Sequence, residues 1–237
     1  WERMPPEWKS RSAFVIAGRG HAETGALTHS TIPHARQTEP QADEFDFFDA
    51  IRRGDGKLTD YDGKVRAYSV GDDTWFTTEW PRAKEEMCPL RLSADGTLVD
   101  GSNLCAGAVS WVYDPSKSYG GFGDSFSVKA FDAGNCGYAR AFVSRPFERA
   151  RAFFGRPRVR IPVMSTCEDT QFLFRIDLIT PSNEAWSVCQ TITSLRHVKP
   201  DYRPGEIAVA DLELPLTAFA VGKGWGVRLD VTSQGGP

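Results

Sequence analysis

Several features that define other classes of protein are missing from this sequence. Its apolar runs fall far short of the roughly 20 residues that a membrane-spanning helix needs. The formal net charge is only -3, and acidic and basic residues are spread along the chain without a basic stripe or a polybasic anchor. We therefore expect neither nucleic acid nor a membrane among its partners.

Targeting information is missing as well. The start, Trp1-Glu-Arg-Met4, has neither an initiator methionine nor the apolar core of a signal peptide. We expect the native N-terminus, with any targeting signal, to lie outside this sequence.

The cysteines lack the spacing of a disulfide framework or of a metal site. The five cysteines are an odd number and include no Cys-x-x-Cys pair, which argues against a disulfide framework and against a zinc ribbon. Because free cysteine is among the most buried residue types, we expect reduced, mostly buried thiols. Unpaired cysteines also favour a cytoplasmic location. The five residues are Cys88, Cys105, Cys136, Cys167 and Cys189.

Histidines near the start of the chain do not form a recognisable metal site. His21, His29 and His34 lie near Glu23 and Glu39, but their spacings match no zinc motif. Histidines in surface loops are usually solvated. The sequence therefore predicts no metal ion and no other cofactor.

The most informative segment leads from a strand into a histidine. The apolar, partly β-branched run over residues 13–17 is typical of a buried strand, and Gly18 and Gly20 then allow the backbone to turn sharply. His21 follows at once, and histidine titrates near neutral pH. This arrangement indicates the catalytic base of an α/β enzyme, with a structural turn histidine as the alternative.

No nucleophile accompanies this base. The Gly-x-Ser-x-Gly elbow is absent from the chain, and the nearest approach, at residues 123–127, lacks the closing glycine. In α/β-hydrolases the triad runs serine, aspartate, histidine along the chain. A base at His21 would come last, so we expect the serine and the aspartate upstream of Trp1 and interpret the sequence as the back half of a larger enzyme.

An amphipathic helix is predicted over residues 43–53. Phe45, Phe48 and Ile51 recur at helical spacing, with acidic residues in the first turn and arginines in the last. Gly54 then provides a stop signal.

Beyond this helix the pattern becomes that of strands. Residues 65–70 are typical of a strand, and the proline and charges at residues 81–86 indicate a boundary. Apolar and polar residues alternate over residues 158–163, 172–178 and 225–231, as they do in half-buried strands. Helical periodicity is scarce here, so residues after the boundary are predicted to form an antiparallel sandwich.

Short motifs along the chain form an ordered set. They are the strand and turn ending in His21, Phe47-Phe48-Asp49, Gly71 to Trp75, Trp80-Pro81, Tyr113-Asp114-Pro115, Gly120-Gly121, Ser144 to Phe147, Gly155 to Val159, Asp169 to Phe172, Pro204-Gly205 and Val231 to Ser233. This order resembles the family of cocaine esterase, Xaa-Pro dipeptidyl-peptidase and α-amino acid ester hydrolase. The resemblance extends over nearly the whole chain.

The resemblance implies a fold and an activity. Residues 1–82 would complete an α/β-hydrolase domain, and residues 83–237 would form the C-terminal jelly roll, an all-β sandwich. The sequence stops just after Ser233, where the family usually continues a little further, so we expect that some C-terminal sequence is missing. The implied activity is a serine hydrolase that cleaves acyl esters or N-terminal X-Pro-type dipeptide amides. His21 would be the general base of a Ser-His-Asp triad. The implied partners are a small ester or peptide substrate and the upstream hydrolase segment.

Other interpretations of the aromatic residues and of the function are open. Trp75 and Trp80 are interpreted as packing residues rather than as platforms for a sugar. Phe122, which is flanked by glycines, is either a packing residue or a substrate-facing side chain. A non-catalytic β-sandwich module that binds carbohydrate or protein is the alternative to a hydrolase. The oligomeric state is also open.

Overall fold

The structure is a computed structural model that describes residues 1–16, 42–55, 62–69, 71–72, 74–80, 87–101, 104–114, 116 and 138–233. The side chains of residues 42–46 and 186–187 are outside this description. The chain divides into two compact units. The first comprises Trp1–Met87 with Ala218–Ala220, and the second comprises Cys88–Thr217 with Val221–Pro237.

The first unit combines helices with a small sheet. Its elements are α1 (Pro6–Lys9), β1 (Phe14–Ile16), α2 (Ala42–Arg53), β2 (Val65–Ser69) and β3 (Thr74–Thr78). Within the described residues the strands form one sheet in the order β1-β2-β3, with β1 and β2 parallel and β2 and β3 antiparallel. Because β1 and β2 are parallel, their connection must cross over the sheet, and it includes α2.

Helix α2 confirms the helix predicted over residues 43–53. Gly54 follows it with a φ of 73°, a left-handed conformation that glycine adopts without strain, and its N–H donates to the Ile51 carbonyl at 3.1 Å. An amphipathic helix normally buries its apolar side, yet Phe48 is 66% and Ile51 is 51% exposed. Among the side chains of α2 that the structure describes, residues 47–53, Ala50 is buried, and the helical period turns it to a different side from Phe48.

Strand β1 is more open than the predicted buried strand over residues 13–17. Its described part is Phe14–Ile16, and Val15 is 40% exposed. Within the described residues β1 pairs on one side only, with β2. Parallel strands are usually covered on both faces, but here the face that carries Val15 is open, so the prediction of burial is wrong for this residue.

The second unit consists mostly of strands. Its elements are β4 (Arg91–Leu92), β5 (Thr97–Val99), β6 (Ala139–Ser144), β7 (Arg151–Gly155), β8 (Arg158–Val163), β9 (Gln171–Ile179), β10 (Ala185–Ser194), α3 (Leu195–Val198), β11 (Ala208–Glu213) and β13 (Gly226–Thr232), and β12 (Thr217–Val221) has residues in both units. In the described part of the chain, no helix is long and apolar enough to cross a membrane.

A large sheet in this unit has the strand order β10-β9-β13-β6-β5-β4, and β8 pairs separately with β11. The prediction of a purely antiparallel arrangement is wrong at one pair: β5 and β6 are parallel, with Thr97 opposite Val143. Parallel neighbours need a long connection rather than a hairpin. The chain between Val99 and Ala139 supplies that length.

The core of the second unit lies between the large sheet and the β8–β11 pair. The predicted strands over residues 158–163 and 172–178 are confirmed by β8 and β9, and their alternating apolar side chains point into this core. The arrangement is that of two β layers enclosing an apolar interior. Buried side chains from both layers include Phe142, Val159, Val163, Phe172, Phe174, Ala208, Ala210, Leu229 and Val231.

Two turns of the second unit contain a residue with positive φ. In the hairpin between β9 and β10, Asn183 has a φ of 63°, and the Thr180 N–H donates to the Glu184 carbonyl at 2.8 Å. Asparagine tolerates this left-handed conformation better than most residues. Gly205 has a φ of 84°, which suits glycine.

Candidate functional site

The predicted catalytic base follows strand β1, and the described residues show how that strand is held. Phe14 lies opposite Val65 and Ile16 lies opposite Ala67 in the parallel pair with β2. Val65 and Ala67 are fully buried, so β1 pairs with a well-packed strand. The described parts of the two parallel strands run to Ile16 and Ser69, and their carboxyl ends point to the same edge of the sheet. Open α/β sheets bind ligands outside the carboxyl ends of their parallel strands.

The two residues predicted to act at the site, His21 and Phe122, lie outside the described residues. A histidine that the structure does describe is His197 in α3. Its side chain is exposed, and its backbone N–H donates to Ser194 Oγ at 3.2 Å. His197 is therefore a suitable surface histidine with which to compare His21.

The two tryptophans considered as sugar platforms make protein contacts. Trp80 is 8% exposed, and its indole N–H donates to Glu2 Oε1 at 2.7 Å. Trp75 contacts Tyr68 edge to face, with ring centroids 5.4 Å apart, and the Arg66 guanidinium lies 4.9 Å from the centre of its ring. Sugar stacking needs an open ring face, so these contacts agree with the packing interpretation.

The described cysteines are free thiols of two kinds. Cys88, Cys105 and Cys167 are exposed and Cys189 is buried, while Cys136 lies outside the described residues. The prediction of mostly buried thiols is wrong for the described residues because the three exposed thiols lie in loops. Burial raises the pKa of the Cys189 thiol to about 12, so it stays protonated at neutral pH.

A buried ion network lies on the face of the large sheet that points away from the apolar core. Arg175 and Asp177 of β9 and Arg228 and Asp230 of β13 are each at most 7% exposed. Asp177 accepts hydrogen bonds from Arg175 Nε at 2.7 Å and from Arg228 Nη2 at 2.9 Å. The same Arg228 nitrogen lies 3.0 Å from Asp230 Oδ2.

The register of β9 and β13 arranges these charges as a checkerboard. Arg228 lies opposite Asp177, and Asp230 lies opposite Arg175. A register shift of two residues would keep every side chain on its face but would bring Arg228 opposite Arg175, and like charges directly opposite each other destabilise a sheet. The network therefore specifies the register of β9 and β13. The Arg-x-Asp pattern that occurs in both strands is the sequence signal from which this network could have been predicted.

Metal ligands were considered at His21, His29, His34, Glu23 and Glu39, and these residues lie outside the description. Among the residues that the structure does describe, no group of three or more His, Cys, Asp or Glu side chains could hold a metal ion.

A shallow cavity of about 210 Å³ lies beside β5 and β6, and its charged lining residues are already engaged by the protein. Asp95 accepts a hydrogen bond from Thr97 Oγ1 at 2.7 Å, and this bond is the largest cause that lowers the pKa of the Asp95 carboxyl. Arg140 donates to the carbonyls of Ala139 and Ser110. Both charged side chains that line the cavity therefore make hydrogen bonds within the protein.

Comparison with known proteins connects this fold to one family. Residues 59–237 match the family model of the X-Pro dipeptidyl-peptidase C-terminal non-catalytic domain. Cocaine esterase from Rhodococcus sp. (strain MB1 Bresler) is 23% identical over 218 residues, which cover 81% of this chain and 37% of the esterase. The chain thus spans little more than a third of that relative.

Two solved structures share the fold. An aminopeptidase from a marine sediment Thaumarchaeota archaeon has a TM-score of 0.71 at 18% identity, covering 89% of this chain and 40% of its own. An α-amino acid ester hydrolase has a TM-score of 0.65 at 18% identity, covering 77% of this chain and 35% of its own. The chain therefore belongs to the family of cocaine esterase, X-Pro dipeptidyl-peptidase and α-amino acid ester hydrolase, as its ordered motifs predicted.

Proposed function

We propose that this chain is the C-terminal portion of a serine hydrolase that cleaves acyl esters or N-terminal X-Pro-type dipeptide amides. Its relatives, an esterase, an aminopeptidase and an ester hydrolase, support the reaction class. The observation in this chain that carries the proposal is the parallel β1–β2 pair. Its carboxyl edge is followed in sequence, after Ile16, by the glycine turn and His21.

His21 is the proposed general base. It would take the proton from a serine hydroxyl as the oxygen attacks the substrate carbonyl, and it would then pass that proton to the leaving group. An aspartate on the other ring nitrogen would hold the imidazole in the required tautomer. In this proposal the serine, the aspartate and the oxyanion-hole donors come from a segment upstream of Trp1.

In this proposal, residues 1–82 form the end of an α/β-hydrolase domain. The parallel strands of the first unit support this, since purely antiparallel folds lack them. The exposed apolar side chains Val15, Phe48 and Ile51 support it as well. Such side chains would be covered by the rest of a larger sheet and its helices.

Residues 83–237 are the proposed jelly-roll domain with a scaffold role. The two-layer core and the register-specifying ion network support a rigid β structure. The non-catalytic description of the matching family domain supports a role outside the chemical step. For Phe122 of this domain, a packing role and a substrate-facing role both stay open.

Replacing His21 with alanine tests the proposal. In the protein expressed from the complete gene, we expect His21→Ala to lower kcat/KM for p-nitrophenyl esters and X-Pro p-nitroanilides by at least about a thousandfold. The melting temperature should hardly change, because a triad base supplies transition-state stabilisation rather than core packing.

The matched control is His197→Ala, which removes an exposed histidine of the same chain. It should keep wild-type kinetics with both substrate types. The catalytic assignment of His21 fails if His21→Ala retains more than about a tenth of the wild-type kcat, since triad members contribute far more than that.

A further inference from the structure

The motif that runs from Gly71 to Trp75 begins in the turn between β2 and β3. Gly71 has a φ of 105°, a positive value that glycine adopts without strain. Many turns need a glycine for this reason alone. The φ of Gly71 therefore assigns no particular role to the residue, and its surroundings decide whether it has one.

Gly71 lies very close to a second segment of the chain. A Cβ placed on Gly71 would overlap the carbonyl oxygen of Ala220, and it would lie 3.3 Å from the carbonyl carbon and 3.7 Å from the nitrogen of the same residue. All three are main-chain atoms, so no side-chain rotation can make room for the Cβ. By contrast, a Cβ on Gly54, whose φ is 73°, would meet nothing within 4 Å. Gly71 is therefore required by the close approach of two main chains as well as by its φ.

The segment that approaches Gly71 is the middle of β12. Ala218–Ala220 belong to the same compact unit as Gly71, although most of the chain between them belongs to the second unit. Ala218 is buried on one face of β12, and Phe219 and Val221 are buried on the other. Because β12 is packed on both faces, a side chain added at position 71 would displace the turn rather than β12.

The hairpin formed by β2 and β3 is packed tightly enough to transmit such a displacement. Tyr68 is buried and lies opposite Trp75, and their rings meet edge to face. The Arg66 guanidinium covers the Trp75 ring at 4.9 Å. Close-packed side chains transmit strain instead of absorbing it. A shift of the turn at Gly71 should therefore move β2 as well.

Strand β2 in turn determines where β1 lies. Ile16 lies opposite Ala67 in the parallel pair of these strands. At about 3.3 Å per residue, Ala67 is no more than about 13 Å from Gly71 along the chain. His21 follows Ile16 in the sequence, after the glycine turn. A displaced β2 therefore shifts the strand that leads to the proposed general base.

We propose that Gly71 is a positioning residue for His21, and that β12 is the strand against which Gly71 sets the β2–β3 hairpin. This inference rests on the proposed function, because it connects Gly71 to the general base of that reaction. The missing side chain lets the turn lie against the main chain of Ala220, and the hairpin then fixes β1. Three residues from the late part of the sequence thus help to set the geometry of the catalytic base without touching the substrate.

Gly71→Ala in the protein expressed from the complete gene tests this role. Misplacing a catalytic group by about 1 Å can cost about a hundredfold in rate. We expect kcat for p-nitrophenyl esters, per site titrated to completion with a serine-directed phosphonate, to fall about ten- to a hundredfold, while KM changes less than about threefold. The acid limb of the pH profile of kcat/KM should also shift, because a displaced imidazole meets its orienting aspartate in a different geometry.

Gly54→Ala is the matched control. Gly54 belongs to the same unit and also has a positive φ, but its added Cβ would meet open space. Alanine at a positive φ destabilises a protein in either variant, so Gly54→Ala should lower the melting temperature slightly. It should leave kcat, KM and the pH profile at their wild-type values.

Ala220→Gly provides a rescue that a general loss of stability would not allow. Glycine at position 220 lets the main chain rotate, so that its carbonyl can turn away from a Cβ at position 71. The double variant Gly71→Ala/Ala220→Gly should therefore regain at least about threefold in kcat over Gly71→Ala. Ala220→Gly alone should keep nearly wild-type kcat, and its combination with Gly54→Ala should show no rescue.

Hydrogen exchange measures the displacement of the hairpin independently of activity. Peptides that cover residues 65–69, the strand β2, should exchange faster in Gly71→Ala than in Gly54→Ala, because a displaced strand opens more readily. If Gly71→Ala does not fold, the double variant with Ala220→Gly must fold for the proposal to stand.

The proposal is overturned if Gly71→Ala has the kcat, the pH profile and the β2 exchange of Gly54→Ala. It is also overturned if Ala220→Gly restores neither activity nor folding. A fully active His21→Ala variant would contradict the proposed function, and this inference with it. An inactive His21→Ala variant together with a fully active Gly71→Ala variant would contradict this inference alone.

Discussion

Replacing Asp177 with asparagine measures what the buried ion network contributes to stability. Asp177 is fully buried and lies between two arginines that donate to it at 2.7 and 2.9 Å. The amide keeps the shape of the carboxylate and removes its charge, so Arg175 and Arg228 lose the anion that they share. Removing one partner of a buried ion pair costs about 3–5 kcal/mol. That is a large part of the roughly 5–15 kcal/mol by which a typical domain is stable.

Urea unfolding of the complete protein, followed by far-UV circular dichroism, is the assay. With an m-value of about 2 kcal/mol/M, the expected loss lowers the midpoint of the strand-rich transition by roughly 1.5–2.5 M. The matched control is Glu168→Gln, which removes an 83% exposed carboxylate lying 3.5 Å from Arg196. Exposed pairs contribute little, so its midpoint should equal that of the wild type. A midpoint for Asp177→Asn within about 0.5 M of wild type would refute this account of the network.

Three further outcomes are expected. Cys189→Ala should leave the number of thiols that react with Ellman's reagent in the native protein unchanged, because burial already keeps this thiol protonated; replacement of any exposed cysteine should lower that number by one. Asn183→Gly should leave stability unchanged or slightly raised, whereas Asn183→Val should cost about 1–2 kcal/mol in thermal unfolding, because its φ of 63° is left-handed. Limited proteolysis should cut near residues 81–86 and leave a resistant β-rich C-terminal fragment, and complete digestion of that fragment would contradict its independent folding.

Local signals in the sequence identified the elements of this fold well. The prediction of the helix over residues 43–53 depends on periodicity and on Gly54, which are both signals from residues close together in the sequence. The prediction of strands β8, β9 and β13 depends on the alternation of apolar and polar residues, which is also a local signal. The parallel pairing of β5 with β6 was missed because pairing is decided by contacts between residues that are distant in sequence. The exposure of Phe48 was missed for a related reason, since periodicity identifies an apolar side of a helix but not what covers it.

Family resemblance, rather than any local pattern, indicated the reaction class. The strand before His21 is present as β1, and it runs parallel to β2 as an α/β arrangement requires. Neither feature distinguishes a catalytic histidine from a turn histidine, which is why the role of His21 depends on kinetics. Thiol exposure was mispredicted because a residue-type average says nothing about whether a given cysteine lies in a loop or on an inner strand face.

The ion network shows what the alternation of apolar and polar residues along a strand cannot predict. Arg228 and Asp230 alternate with Leu229 and Val231, and alternation says only that the two faces of a strand differ. It does not say that the polar face meets water, and here that face is buried. A buried polar face needs its own pairing partners, because isolated charges are too costly to bury. An Arg-x-Asp pattern that occurs in two otherwise apolar strands therefore predicts a buried ion network. Its two-residue spacing places both charges on one face of each strand, where the two strands can supply complementary partners.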